Sequence, residues 1–137
     1  MGYVGKPLHV GISVLDMEEA LGWYERNLGF RLVKDCGFLD RLGARICFVE
    51  SDGFQLELFQ YQSPNPIPPE RLHPNTDLQT VGTKHLALSV ADMAETRKRL
   101  TANGVSIVHE ATMDRDLVIF IRDCCGTLIE LIQQNAL

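Results

Sequence analysis

The feature that most limits how this chain can fold is that it repeats itself. Leu8 to Asn27 lies over Lys84 to Asn103 without a gap, so that His9 falls on His85. In the same register Ser13, Val14, Asp16, Met17 and Asn27 meet Ser89, Val90, Asp92, Met93 and Asn103. The far ends agree as well: Gly53-Phe-Gln-Leu-Glu57-Leu-Phe-Gln60 lies over Gly126-Thr-Leu-Ile-Glu130-Leu-Ile-Gln133, which puts Glu57 on Glu130. A two-fold duplication must build two similar half-domains. With 137 residues in all, the length fits one domain made of those halves and leaves little for a second core.

Each half opens with period-two alternation: Leu8, Val10, Ile12 and Val14 against His9, Gly11 and Ser13, then Leu86, Leu88 and Val90 against His85, Ala87 and Ser89. That pattern predicts half-buried strands. Asp16 and Asp92 stand where a helix N-cap belongs, each with a Glu three residues on, Glu19 and Glu95. Met17, Leu21, Tyr24 and Leu28 recur at helical spacing, and Gly29 and Gly104 are placed to end the two helices. Three short apolar runs follow each helix, near 30–34, 44–50 and 54–61, then 105–109, 117–122 and 127–133. Each half therefore reads βαβββ, an α+β plan, with module one at 7–61 and module two at 83–134. Between them, 62–82 holds five of the six prolines and is expected to be an extended, stiff connector.

Composition excludes several classes of function. A net charge of −5 argues against nucleic acid as the main partner, and Arg97-Lys98-Arg99 reads as a solvated helix face. No stretch approaches the length of apolar sequence that spans a bilayer, and no apolar leader precedes Asp16, so cytoplasmic residence is the expectation. Cys36, Cys47, Cys124 and Cys125 lack metal-finger spacing and read as reduced thiols.

Chemistry concentrates at the two matched pairs. His9 and His85 oppose their strands' aliphatic rows and have only small neighbours on their own face, while Glu57 and Glu130 sit mid-strand among Gln55, Phe59, Leu128 and Ile132. A half-buried carboxylate in each terminal strand needs a compensating charge, and no Lys or Arg lies on the ligand-facing side of these four strands. One divalent cation supplies it. Two imidazoles and two carboxylates suit Zn, Ni, Co, Fe or Mn, and in an octahedral ion two positions stay open for substrate oxygens. Phe59, Tyr61, Leu128 and Ile132 flank the carboxylates and are candidates for an apolar substrate wall. Arg45, Arg115 and Arg122 are candidate partners for a substrate anion, and His73 and His109, having no matched partner, stay outside the predicted site.

These residues carry a resemblance. LHVGISVLDMEEALGWYERNLGF (8–30), GFQLELFQ (53–60), GTKHLALSVADM (82–93) and GTLIELIQ (126–133) are similar to the vicinal oxygen chelate superfamily, the glyoxalase I, bleomycin-resistance and extradiol dioxygenase group. The run Tyr24-x-x-x-Leu28-Gly29-Phe30, following the His strand and the Asp cap, is the more specific part. The resemblance implies paired βαβββ modules forming a U-shaped mixed sheet around one metal held by His9, Glu57, His85 and Glu130. It also implies a homodimer, whose site lies within one chain or is shared between two. The two-His, two-Glu set resembles glyoxalase I (lactoylglutathione lyase), and methylmalonyl-CoA epimerase is similar with Gln in the Glu57 position.

The expected reaction is that of a lyase or isomerase. A proton is abstracted next to a carbonyl by way of a metal-bound enediolate, on a hemithioacetal or acyl-CoA-like substrate. Glu130 is the expected principal base, with Glu57 as ligand and second base. The alternatives are an Fe(II)-dependent extradiol-type dioxygenase and a non-enzymatic small-molecule binding or resistance protein.

Overall fold

The computed structural model describes residues 2–137. It divides into two compact units, one running through Asn65 and one from Pro66 onward. Unit 1 contains β1 (His9–Ser13), α1 (Met17–Leu28), β2 (Arg31–Leu39), β3 (Ala44–Ser51) and β4 (Phe54–Tyr61). Unit 2 contains a 3₁₀ turn (Pro69–Arg71), α2 (Pro74–Asp77), β5 (Leu86–Ser89), α3 (Met93–Ala102), β6 (Ile107–Met113), β7 (Asp116–Arg122) and β8 (Leu128–Gln133). Each unit thus holds the expected βαβββ plan. The sheets have matching order, β1-β4-β3-β2 and β5-β8-β7-β6, with the first pair parallel and the others antiparallel. The fold is α+β, two four-stranded mixed sheets of the same design.

The matched sequence features fix matched local structure. Asp16 Oδ1 accepts the Glu19 N–H at 2.9 Å and Asp92 Oδ1 accepts the Glu95 N–H at 3.0 Å, so both predicted caps form. Gly29 and Gly104 take φ of 72° and 75°, the left-handed conformation that turns the chain out of a helix. In unit 1 the helix covers the sheet face carrying Leu56, Leu58 and Val49, all fully buried. The α1 residues beneath it are Met17, Ala20, Trp23 and Tyr24. Leu21 and Leu28 of the predicted stripe lie at its margin, and Leu8, which precedes β1, is exposed. In unit 2 the corresponding core rows are Ile119 and Ile121 on β7 with Ile129 and Leu131 on β8.

Two predicted strands are longer than their apolar runs. Strand β2 continues to Leu39 because Gly37, which reads as a turn signal, is absorbed at an irregularity with φ of 70°. Strand β6 continues to Met113. The register slips between Leu32 and Lys34 and, at the matched place, between Ile107 and His109. Such a slip sends the next side chain to the other face of the sheet.

The proline-rich segment differs from the expected extended connector, since from Pro66 it folds onto unit 2. Pro69 and Pro74 stand at the starts of helical turns, where a missing N–H costs nothing. Asp77 closes the segment. Its side chain is 2% exposed and accepts Arg71 Nε at 2.9 Å and Lys84 Nζ at 3.3 Å. Burial pushes this carboxyl's pKa up, but the hydrogen bonds from Arg71 and Lys84 outweigh burial and hold it below the usual carboxylate value. Gly126, at φ 97°, lies against the same segment, and a Cβ there would stand 2.9 Å from both Ile67 and Leu72. No helix of the described residues is long and apolar enough to cross a membrane.

Candidate metal centre

In each unit the face opposite the helix carries the predicted ligands. Glu57 lies opposite Gly11 across the parallel β1–β4 pair, which puts His9, two residues earlier, on the same face. His9 Nε2 stands 3.3 Å from Glu57 Oε1, with the two side chains 28% and 20% exposed. Gly11 lets the wall approach: a Cβ there would meet the Phe59 ring at 3.2 Å. In unit 2, Glu130 lies opposite Ala87, His85 immediately precedes β5, and His85 Nε2 stands 3.6 Å from Glu130 Oε2. The His85 and Glu130 side chains are 28% and 14% exposed. Each predicted pair is therefore brought together within its own unit. Among the described residues, no group of three or more His, Cys, Asp or Glu gathers at metal-binding distance, so each unit carries a two-ligand half of the predicted set.

Each imidazole has an aromatic support that is not among the residues expected from the sequence. The Phe48 ring meets His9 edge to face at 5.4 Å and 77°, and Phe120 meets His85 at 5.0 Å and 89°. Phe48 is the direct register partner of Glu57, and Phe120 that of Glu130. Their signal was available, because the two phenylalanines occupy corresponding places in β3 and β7. An edge-packed ring limits how an imidazole can rotate and so aims its Nε2.

The candidate wall residues share the ligand face by register, with differing access. Phe59 and Ile132 are half-buried, Tyr61 is 46% exposed, and Leu128 is 1% exposed and packs within unit 2. Of the candidate anion partners, Arg45 is on the wrong face. Its register partner Gln60 shares the helix-covered side, and its guanidinium is taken up by Glu18 at 2.6 Å and Asp35 at 2.7 Å. Arg115 lies in the exposed turn between β6 and β7, where its carbonyl accepts the Ala136 N–H. Arg122 is on the ligand face of β7, opposite Leu128, and its Nε donates to the Leu72 carbonyl at 2.6 Å. His109 is the register partner of Phe120 and belongs to this face too, although it has no matched histidine in the other half of the sequence.

The family model described as the glyoxalase/bleomycin resistance protein/dioxygenase superfamily matches residues 6–131. The chain belongs to that superfamily. No curated protein matches it significantly. Solved members of the superfamily share its fold. A glyoxalase family protein from Enterococcus faecalis has a TM-score of 0.79 at 20% identity, over 95% of this chain and 98% of that one. The trypanothione-dependent glyoxalase I of Leishmania major has a TM-score of 0.73 at 20% identity, over 95% of this chain and 87% of that one. The fosfomycin resistance protein FosX of Listeria monocytogenes has a TM-score of 0.70 at 15% identity, over 94% and 91%. At these identities the likeness establishes the superfamily fold alone.

Proposed function

We propose that His9, Glu57, His85 and Glu130 together hold one divalent metal ion, and that this superfamily member is a lyase or isomerase of the glyoxalase I type. The observation that carries the reading is the duplicated His–Glu pair, set at matched register on the sheet face opposite α1 in one unit and α3 in the other. The donor set fits such an ion: two ring nitrogens and two carboxylates give four ligands whose charges balance a dication. When bound, the ion supplies Lewis-acid stabilisation of the negative charge that develops on oxygens next to a carbon losing its proton.

The chain's own residues do the rest. Glu130 takes the proton from the carbon, and the proton returns to the neighbouring carbon in a hemithioacetal or to the opposite face of the same carbon in an acyl-CoA-like thioester, with Glu57 as ligand and second base. Phe48 and Phe120 restrict rotation of the two imidazoles by packing edge to face against them. Phe59 and Tyr61 offer apolar surface beside Glu57, Ile132 offers it beside Glu130, and Leu128 is buried within unit 2. Nickel, zinc or cobalt is the expected ion, and a hemithioacetal or an acyl-CoA-like thioester the expected substrate. The protein is expected to work in the cytoplasm as a homodimer.

The test is turnover of the methylglyoxal–glutathione hemithioacetal, and epimerisation of a 2-methyl-branched acyl-CoA, by protein loaded with Ni, Zn or Co. Activity on one substrate class is expected. Replacing Glu130 by Gln should lower it by about 100-fold or more while metal stays bound. Undiminished turnover in that variant would remove Glu130 as the base, and inactivity on both classes would remove the lyase or isomerase assignment.

A further inference from the structure

Unit 2 carries a run of basic side chains on the ligand face that the proposed reaction leaves unused. Glu130, Phe120 and His109 are register partners in one row across β8, β7 and β6. The His109 ring lies 6.0 Å from Phe120, and the His73 ring meets His109 at 5.2 Å and 71°. His73 comes from the proline-rich segment, where its Nδ1 accepts the Asn75 N–H at 3.2 Å. A neutral His73 therefore carries its proton on Nε2 and is a donor there. Arg122, two residues along β7 from Phe120, is tied through Nε to the carbonyl of Leu72, the residue before His73. Among the described residues, no ion pair engages its guanidinium.

The placement of His109 depends on the slip in β6. Ile107 is opposite Ile121, on the buried helix-covered face, and without the slip His109 would share that face. Its neighbour Glu110 faces the helix, paired with Arg97 of α3. Unit 1 repeats the device, since the slip between Leu32 and Lys34 makes Lys34 the register partner of Phe48. Both sheets thus re-aim a basic residue to the end of the row that holds the ligand carboxylate.

We propose that Arg122, His109 and His73 form an anion-recognition subsite, which selects substrates bearing a carboxylate or phosphate at the end remote from the chelating oxygens. This rests on the metal-site reading above, because the spacing is counted from Glu130. Two strand spacings of about 4.8 Å separate Glu130 from His109. With both side chains rising from the sheet, that span corresponds to the length of a ligand of about five or six carbons. Phe120, buried between the His85 and His109 rings, stands midway, and the far end is the His109–His73 ring pair, to which Arg122 is joined through the Leu72 carbonyl.

The probes are 2-hydroxyadipate and 2-hydroxyhexanoate, which differ only in a terminal carboxylate, titrated calorimetrically into the full chain loaded with cobalt. The wild type is expected to bind hydroxyadipate about tenfold or more tightly than hydroxyhexanoate. That ratio should fall to about threefold or less in Arg122→Met and in His109→Phe, and be partly kept in Arg122→Lys and His109→Gln. The ring NMR signals of His73 and His109 should move with hydroxyadipate and not with hydroxyhexanoate. Equal affinities in the wild type, or a ratio untouched by all four substitutions, would overturn the subsite. Hydroxyadipate binding that needs Arg122 while hydroxyhexanoate fails to bind would keep the subsite and remove the chelating site, and no binding of either would overturn both.

Discussion

The side chain of Gln60 accepts the backbone N–H of Met17, the first residue of α1, at 2.6 Å, across 43 residues of sequence. Gln133 does the same for Met93 and α3 at 2.7 Å. The residue three places beyond each ligand Glu thus ties its strand to the helix that covers the other face of its sheet.

Removing either amide leaves a part-buried helix N–H without its partner. Gln60→Leu and Gln133→Leu are each expected to lower stability by about 1–2 kcal/mol, read as a shift of the urea midpoint at unchanged slope.

Asp77 anchors the proline-rich segment to the start of β5. Because its folded-state pKa is depressed, its pairing with Arg71 and Lys84 contributes fully above the unfolded carboxylate pKa and is lost as pH falls through the lower folded value. Asp77→Asn should destabilise the chain by about 2–3 kcal/mol at neutral pH. It should also flatten the loss of stability with acid below about pH 4, where the wild type still carries part of this contribution.

Asp35 reports on Arg45 without involving the candidate site. The hydrogen bond from Arg45 and then the Gly37 N–H hold its pKa at about 2. The ion pair should therefore be complete above the ordinary carboxylate range and dissolve as pH falls toward 2. In Arg45→Met the Asp35 carboxyl should titrate higher than in the wild type, moving toward the ordinary value of 3.8 while the Gly37 N–H still holds it down, as followed by carbon NMR of the side chain. Ligand binding should be unaffected, since Arg45 lies on the helix side of its sheet. Beside it, burial first and Asp35 second push the Cys47 thiol up to about 11, so alkylation of Cys47 should be slow at neutral pH.

Gly126 combines a positive φ with a close approach. Gly126→Ala should cost about 2–4 kcal/mol, as backbone strain adds to displacement of Ile67 and Leu72. Thermal unfolding monitored by circular dichroism measures it.

Much of this was legible in the chain itself. The duplication carried the strand–helix–strand order, both Asp caps, both glycine exits and the His–Glu pairs, because each rests on local chemistry repeated at matched positions. What escaped depends on pairing across strands. Gly37 reads as a turn until a bulge absorbs it, and His109 reads as unmatched until the slip beside it aligns it with Phe120. Arg45 reads as an anion partner until the register places it beside Glu18 and Asp35. The proline-rich segment reads as a spacer because Asp77's cations, Arg71 and Lys84, are brought to it only by folding.

The proposed metal centre consists of two half-sites, each of one His and one Glu, holding one ion. Metal analysis of the purified protein, with single His9→Ala, Glu57→Ala, His85→Ala and Glu130→Ala variants reloaded and dialysed alongside, tests it most directly. One tightly held divalent ion per chain is expected, whether the pairs meet within a chain or between two copies. A loss of affinity of about tenfold or more is also expected in every one of the four variants. No tightly held ion in the wild type, or full retention after removing either member of one pair, would contradict the proposed centre.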